Sequence, residues 1–312
     1  MANRRVLVRR RTAARNIRKI TRTMQLVATA RFQTAFSRAT ATKPYSDKLA
    51  ELVADLSRAA GEGADHPLMH THDDVDRSAL VVITSGRGFC GGYNANVLRT
   101  AIDHVDHAGR DVDVHMVGKK GVSYFRFAGR DMAEQTVAIG ESPGFDQIEP
   151  IANGLIDRFS KGEIAAANVV YMRFHSTSRQ QPEVLQLLPL AVETSPTEDS
   201  GRAATGRAAT GRAATGRAAT GKRGSAVDYE FSPEPRALLE DLLPASVRMR
   251  LFQCFTDAVV SEQVARMVAM KAATDAAGDM ITTLTRQYNR ARQTHITMEL
   301  LDIIGGASQL AG

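Results

Sequence analysis

The chain has 312 residues, 43% of them hydrophobic, which suffices for a core and one or two domains. It has no tryptophan and only two cysteines, Cys90 and Cys254, in unlike segments with no Cys-x-x-Cys, so a disulfide framework or a zinc ribbon is excluded and a reducing compartment fits. The net charge of +6 is unevenly placed: residues 1–43 hold ten Arg, two Lys and no acid, while the other 269 residues carry 28 basic and 34 acidic side chains. A basic segment of this kind seeks an acidic partner, whether nucleic acid, anionic lipid or an acidic protein surface. Its Arg-rich, acid-poor composition is shared with organellar transit peptides, but a helical pattern already begins inside it. No apolar run approaches 18 residues, the length expected of a membrane span.

Residues 1–60 predict the first long helix. From residue 3 onward this stretch has no glycine and one proline, Pro44. Ala13, Ile17, Ile20, Met24 and Val27 step by fours and threes, and from Met24 a line also runs through Ala28, Phe32, Ala35 and Ala39. Two successive fours there read as a stutter. Gly61 to Asp76 is a polar loop with His66, His70 and His72, for which a solvated loop is a better reading than a metal site because nothing fixes ligand geometry.

The period then changes. Leu80–Thr84 reads as a buried parallel strand, followed by a glycine-rich loop and a helix from about Asn94 to His107. Val112–Gly118 reads as a strand, Lys119–Ala128 as a helix, Val137–Ile139 as a short edge strand and Gln147–Lys161 as a helix. Asn168–Phe174 and Val184–Leu190 read as two further strands. Strands alternating with helices predict an α/β layer over 77–194 with a mostly parallel, Rossmann-like sheet. Residues 201–220 are four copies of Gly-Arg-Ala-Ala-Thr, so 195–225 reads as a low-complexity insert with nothing large to bury. A short helix and linker, 226–243, leads to Pro244.

The second long helix covers 244–305. Ala245–Ile304 contains no proline and one glycine, Gly278, and Gly305-Gly306 follows as a stop signal. Positions 263, 267, 270, 274, 277, 281, 284, 288, 291, 295 and 298 step by alternating fours and threes, and eight of the eleven are apolar. That is a coiled-coil seam more than three heptads long. The helix would be roughly 90 Å long at about 1.5 Å per residue, against a radius of gyration near 20 Å for a compact globule of this length. It should therefore protrude, with the N-terminal helix as its antiparallel partner. The fold class is α/β: an antiparallel coiled coil of the two terminal helices with the Rossmann-like domain inserted between them.

Chemistry-bearing motifs are few. Gly86-Arg-Gly88-Phe-Cys-Gly91 satisfies G-x-G-x-x-G between a strand and a helix, the context of a dinucleotide site. The acid expected at the next strand's tip is missing, since Gly118, Lys119 and Lys120 follow Val117. Glycines serving positive φ and close helix–strand packing are the better account. Gly216–Lys222 approaches a P-loop, but Arg223 stands where a Ser or Thr is needed and no strand precedes it. No nucleophile–base pairing has a local signature, no cofactor is implied, and Cys254 reads as core. An NAD(P)-binding oxidoreductase and a basic coiled-coil nucleic-acid binder remain as alternative readings, though no aromatic residue interleaves the arginines of 4–22 to stack bases.

Several runs resemble the gamma subunit of F-type ATP synthases. They are Ile20–Arg31 (ITRTMQLVATAR), Thr84–Asn94 (TSGRGFCGGYN), Gln186–Pro189 (QLLP), Ser261–Asp275 (SEQVARMVAMKAATD), Tyr288–Gln293 (YNRARQ) and Ile296–Leu300 (ITMEL). The resemblance covers nearly all of the chain outside 195–225. It implies a central rotor shaft turning inside a hexamer of alpha and beta subunits, with the α/β domain contacting the epsilon subunit and the ring of c subunits. The delta subunit belongs to the same complex, and catalysis is in the hexamer. It implies attachment to the cytoplasmic side of a bacterial inner membrane, peripherally, with no nucleic acid. Arg292 and Gln293 match positions that hydrogen-bond to beta-subunit loops, Thr297 and Glu299 follow one to two turns on, and Met24 matches the position facing the beta subunit's acidic lever, with Arg22 and Arg31 nearby. Met298 departs from the family's usual Gln. The repeat falls where photosynthetic members carry a regulatory insert, but residues 191–253 lack the two cysteines of their redox switch. A charge-based brake on rotation is the hypothesis left for it. Deleting 201–220 should then raise ATP hydrolysis by the reconstituted complex; an unchanged rate and unchanged nucleotide inhibition would dismiss it.

Overall fold

A computed structural model describes residues 4–60, 66–72, 74–140, 142–190 and 235–310. Two helices dominate, α1 (Arg4–Ala60) and α5 (Pro235–Leu310). At about 1.5 Å per residue α5 is roughly 114 Å long. The helices pack antiparallel, from a cluster of Leu7, Ala14 and Leu284 at one end to the core that holds Leu56 and Leu239 at the other.

The seam of α5 follows the expected line from Gln263 through Met270, Thr274, Ala277 and Leu284, all buried, to half-buried Tyr288 and Ala291. Its last two positions, His295 and Met298, are exposed. On α1 the expected line holds over Ala28, Phe32, Ala35 and Ala39 but is displaced before them. The buried seam positions are Leu7, Ala14, Thr21, Ala28, Leu49 and Leu56, with Ser57 buried beside them. Joined through half-buried Arg11, Gln25, Phe32, Ala35, Ala39, Thr42, Ser46 and Val53, and through Arg18, they keep a strict heptad with no stutter. The stripe through Ala13, Ile17, Ile20 and Val27 lies outside it, with Ile17 51% and Ile20 59% exposed. The apolar pattern pointed there because the true seam in this stretch is filled by small or polar residues.

The seam's centre is polar. The hydroxyls of Thr21 and Thr274 lie 2.8 Å apart, and each also meets its own helix, Thr274 at the Met270 carbonyl (2.8 Å) and Thr21 at the Arg18 carbonyl (3.2 Å). Two hydroxyl protons can fill two of these three contacts at once. A polar pair at such a position fixes register more than it adds stability. Nearby, the Arg11 guanidinium sits 5.0 Å over the Tyr288 ring, a further contact across the helices.

Both helices run through a proline, of which only Pro244 reads as a boundary from the sequence. α1 includes Pro44, and α5 starts at Pro235 and passes through Pro244, so no break separates a short helix from the long one. Leu243 and Val247 are fully buried on either side of Pro244. Packing there outweighs the roughly 3 kcal/mol that an interior proline costs. Nor does Gly305-Gly306 end α5. Residues 195–225, and the part of 226–243 before Pro235, lie outside the described residues.

Between the long helices lies a five-stranded sheet in the order β3-β2-β1-β4-β5. The strands are β1 (Arg77–Ile83), β2 (Asp111–Val117), β3 (Glu134–Thr136), β4 (Ala166–Phe174) and β5 (Gln180–Leu188). The first four are parallel and β5 is antiparallel to β4. The edge strand β3 sits just before the expected 137–139. Helices α2 (Tyr93–His107) and α3 (Lys119–Phe127) pack with Leu80 and Val82 on one face. Helix α4 (Phe145–Ser160) and the start of α5 pack with Val81 and Ile83 on the other. Successive residues of β1 thus serve opposite cores, which is why its run is apolar throughout. The turn from β2 into α3 requires glycine: Gly118 has φ +97, and a Cβ on Gly121 would fall 2.3 Å from the Met116 sulfur and 2.6 Å from Thr84 Oγ1.

Helix α5 is tied to the sheet by the Ser261 hydroxyl, which donates to the Met172 carbonyl (3.1 Å). One turn earlier, burial pushes the Asp257 carboxyl up to about 6, against the Gln253 amide, which donates to it at 3.1 Å, and the charges of Arg173 and Lys43. The folded value exceeds the ordinary one of about 3.9. The folded chain therefore binds more protons than the unfolded chain between about pH 4 and 6, and stability falls as pH rises through that window. Asp257→Asn should flatten the pH dependence of the denaturation midpoint over that range; an unchanged slope would contradict this assignment.

Candidate partner-binding surface

The residues singled out from sequence fall into two groups. Arg22 is exposed on α1, its guanidinium donating to Gln25 Oε1 (3.1 Å). Met24 and Arg31 are half-buried and line one cavity with the loop Gly86–Phe89. The second group is on α5: Arg292, Gln293, Thr297 and Glu299 are all exposed. The Thr297 hydroxyl donates to the Gln293 carbonyl (3.0 Å), and Glu299 lies 3.5 Å from His295. Arg292 is 18 residues beyond Thr274, so it stands about 27 Å along the axis from the Thr21–Thr274 contact. The fold thus brings Met24 to Arg31 and gathers the α5 group at one helix end, but keeps the two groups apart.

Sequence reasoning missed the apolar content of these surfaces. On α1, Ile17, Ile20, Leu26 and Val27 point outward beside exposed Arg9, Arg10, Arg15, Lys19 and Arg22. On α5 every residue from Arg292 to Ile304 is exposed, including Ile296 (46%), Leu301 (57%) and Ile303 (68%). Extending the heptad of Leu7 and Ala14 through the arginines, instead of following the apolar residues, would have found the first patch. An unclothed apolar helix end is not a stable surface in water and marks an interaction site.

The glycine-rich loop is held from within. The Ser85 amide donates to Asn94 Oδ1 (3.0 Å), the Ser85 hydroxyl to the Arg87 carbonyl (2.6 Å), and the Asn94 amide lies 3.2 Å from Cys90 Sγ. Only Gly91 of the three fingerprint glycines has positive φ, +56, and a Cβ there would meet Ala269 of α5 at 3.7 Å. Gly86 has neither constraint, and at Gly88 a Cβ would meet only the Lys120 side chain (3.5 Å), so positive φ holds for Gly91 alone. Helix α5 therefore lies against the start of α2, where a dinucleotide's pyrophosphate would sit. The Glu262 carboxylate is nearby, ion-paired with Arg266, and burial raises its proton affinity. This geometry disfavours the oxidoreductase reading. Cys254 is fully buried, and desolvation pushes its thiol far up, so it is inert core. His66 caps a short turn, its Nδ1 accepting from the Leu68 amide (3.1 Å), and His72 packs edge-on to Phe159.

A family model described as ATP synthase matches residues 3–310. The ATP synthase gamma chain of Rhodopirellula baltica is 41% identical over the whole length of both chains. The chain belongs to the ATP synthase gamma-chain family.

The gamma chains of Leptospira biflexa and Dehalococcoides mccartyi are 35% and 37% identical, again over both full lengths. Among solved structures, a rotor chain of the Euglena gracilis mitochondrial ATP synthase is similar with TM-score 0.58 at 15% identity, covering 94% of this chain and 98% of that one. A chain of the same organism's OSCP/F1/c-ring assembly gives TM-score 0.63 at 18% identity, covering 98% and 94%. These last two likenesses concern the fold: paired long helices with an inserted α/β domain. For this gamma chain they agree with the coiled coil drawn from its sequence. Among the described residues no helix is long and apolar enough to cross a membrane.

Proposed function

We propose that this gamma chain acts as the rotor shaft of an ATP synthase, with no catalytic site of its own, turning within a hexamer of alpha and beta subunits. The supporting observation is the α5 end: 13 consecutive exposed residues, 292–304, six of them large and apolar, projecting past the paired part of the shaft. Such an end calls for a sleeve. Arg292, Gln293, Thr297 and Glu299 are proposed to meet the beta subunits there. Arg22, Met24 and Arg31 are proposed to face their acidic levers. The α/β domain is proposed to carry the epsilon subunit and the c-subunit ring, with the delta subunit elsewhere in the complex. The assembly would be peripheral, on the cytoplasmic side of a bacterial inner membrane; the curated relatives cited are bacterial.

The charge pattern suits a turning shaft. Exposed ion pairs are each worth under about 1 kcal/mol. Many arginines spread around α1 attract acidic levers without favouring one angular register. Arg292 and Gln293 are exposed, so Arg292→Ala with Gln293→Ala should leave the folding of the shaft intact. Loss of hydrogen bonds worth about 1 kcal/mol each should lower ATP hydrolysis by a hexamer reconstituted with this chain several-fold. An unchanged rate would refute the assignment of these two residues.

A further inference from the structure

The cavity beside Met24 and Arg31 is lined by further basic residues, Arg87, Lys119, Lys120 and Arg266, that the rotor reading does not use. Its volume is about 450 Å³, within the range of about 300–1,000 Å³ typical of small-molecule sites. It lies between α1, the loop Gly86–Phe89, the start of α3 and α5. Five of its lining residues are basic, Arg31, Arg87, Lys119, Lys120 and Arg266, and none is acidic. We infer that it binds a small phosphate-bearing anion, of the size of pyrophosphate or a nucleotide's phosphate tail. The inference goes beyond the rotor reading and does not rest on it.

Three observations carry it. First, Lys119 and Lys120 are exposed and open α3 at its positive end, with no acid in the first turn. Two cations on a helix N-terminus repel its dipole, and an anion there relieves both. Second, Arg266 forms a fixed floor. It donates to Glu262, to Gln263 Oε1 (3.2 Å) and to the carbonyls of Gly88 (3.3 Å) and Arg87 (3.4 Å), which holds the loop open above it. Third, Gln263, 1% exposed, is one of the lining residues, and its buried Nε2 has no partner among the described residues. A buried amide donor left unpaired is costly and commonly marks a missing ligand or water.

The mode of holding is also settled by the geometry. Two first-turn amides of α3 are already engaged, Lys120 with the Ser85 carbonyl (3.1 Å) and Gly121 with Thr84 Oγ1 (3.0 Å). The backbone therefore offers no phosphate cradle of the dinucleotide kind, and the lysine ammonium groups do the binding. Lysine is a mobile point charge that grips a phosphate without a bidentate fit. Affinity should fall with added salt, because the site opens to solvent.

The test is calorimetric titration of the full-length chain with inorganic pyrophosphate and, separately, with ATP. One saturable, salt-sensitive site per chain is expected, weakened at least tenfold by Lys119→Gln with Lys120→Gln and unchanged by Arg9→Gln with Arg10→Gln. Pyrophosphate should also slow amide exchange in Gly86–Phe89 of the unaltered chain, a readout that needs no variant. Binding of both probes assigns the site to phosphate tails generally; binding of pyrophosphate alone assigns it to the free inorganic anion. No saturable binding, or binding that the Arg9 and Arg10 changes remove and the lysine changes spare, would overturn the inference as diffuse attraction to the basic helix. No hexamer enters this titration, so its failure leaves the rotor reading untouched.

Discussion

The antiparallel seam between α1 and α5 is the constraint on which the rest of the structure depends. It joins segments with residues 61–234 between them and makes a rod from two helices that would not be stable singly. Many of its inward residues in the free half are small or slender, Ala14, Thr21 and Ala28 on one side and Thr274 and Ala277 on the other, with Leu7, Met270 and Leu284 as the larger ones. Such a seam buries little apolar area per turn. In the lower half the sheet supplies what the seam lacks, since Leu243, Val247 and Leu251 of α5 enter the same core as α4 and Val81. The α/β domain therefore clamps one end of the rod and leaves the other free.

A narrow seam has a consequence for the outside. With few large residues drawn inward, isoleucines, leucines and arginines are left on the outer faces of the free half. That half is apolar and cationic together, which is poor design for an isolated protein and sound design for one enclosed by acidic partners. The same economy places the basic cavity at the base of the free half, where α1 leaves the sheet and passes the glycine-rich loop.

Most of the architecture was legible because its signals are periodic. The α5 seam is apolar at most of its positions, with Gln263 and Thr274 as the buried polar exceptions, and the buried strands alternate with helices of ordinary length. The α1 line before Ala28 misses the seam for a physical reason. Hydrophobicity marks the seam only when the seam supplies the burial, and here Arg11, Arg18 and Thr21 occupy it while Ile17 and Ile20 face out. Pro244 reads as a helix start and Gly305-Gly306 as a stop, but neighbours held by tertiary packing carry the helix through Pro244, and α5 runs on past the glycines. The glycine-rich loop could not be interpreted from its pattern alone, because α5, distant in sequence, covers Gly91. Of the contact residues, their exposure and grouping come from the fold, whereas their roles came from resemblance to a family.

The account stands on the register of the two long helices, and crosslinking measures that register directly. With the buried native cysteines Cys90 and Cys254 replaced, cysteine pairs are placed at 21/274, 21/267 and 21/281 in the full-length chain and oxidised mildly. The 2.8 Å contact between Thr21 and Thr274 predicts rapid disulfide formation at 21/274 and almost none at the two pairs one heptad away. Equal formation at all three, or none at 21/274, would contradict a shaft with a single fixed register.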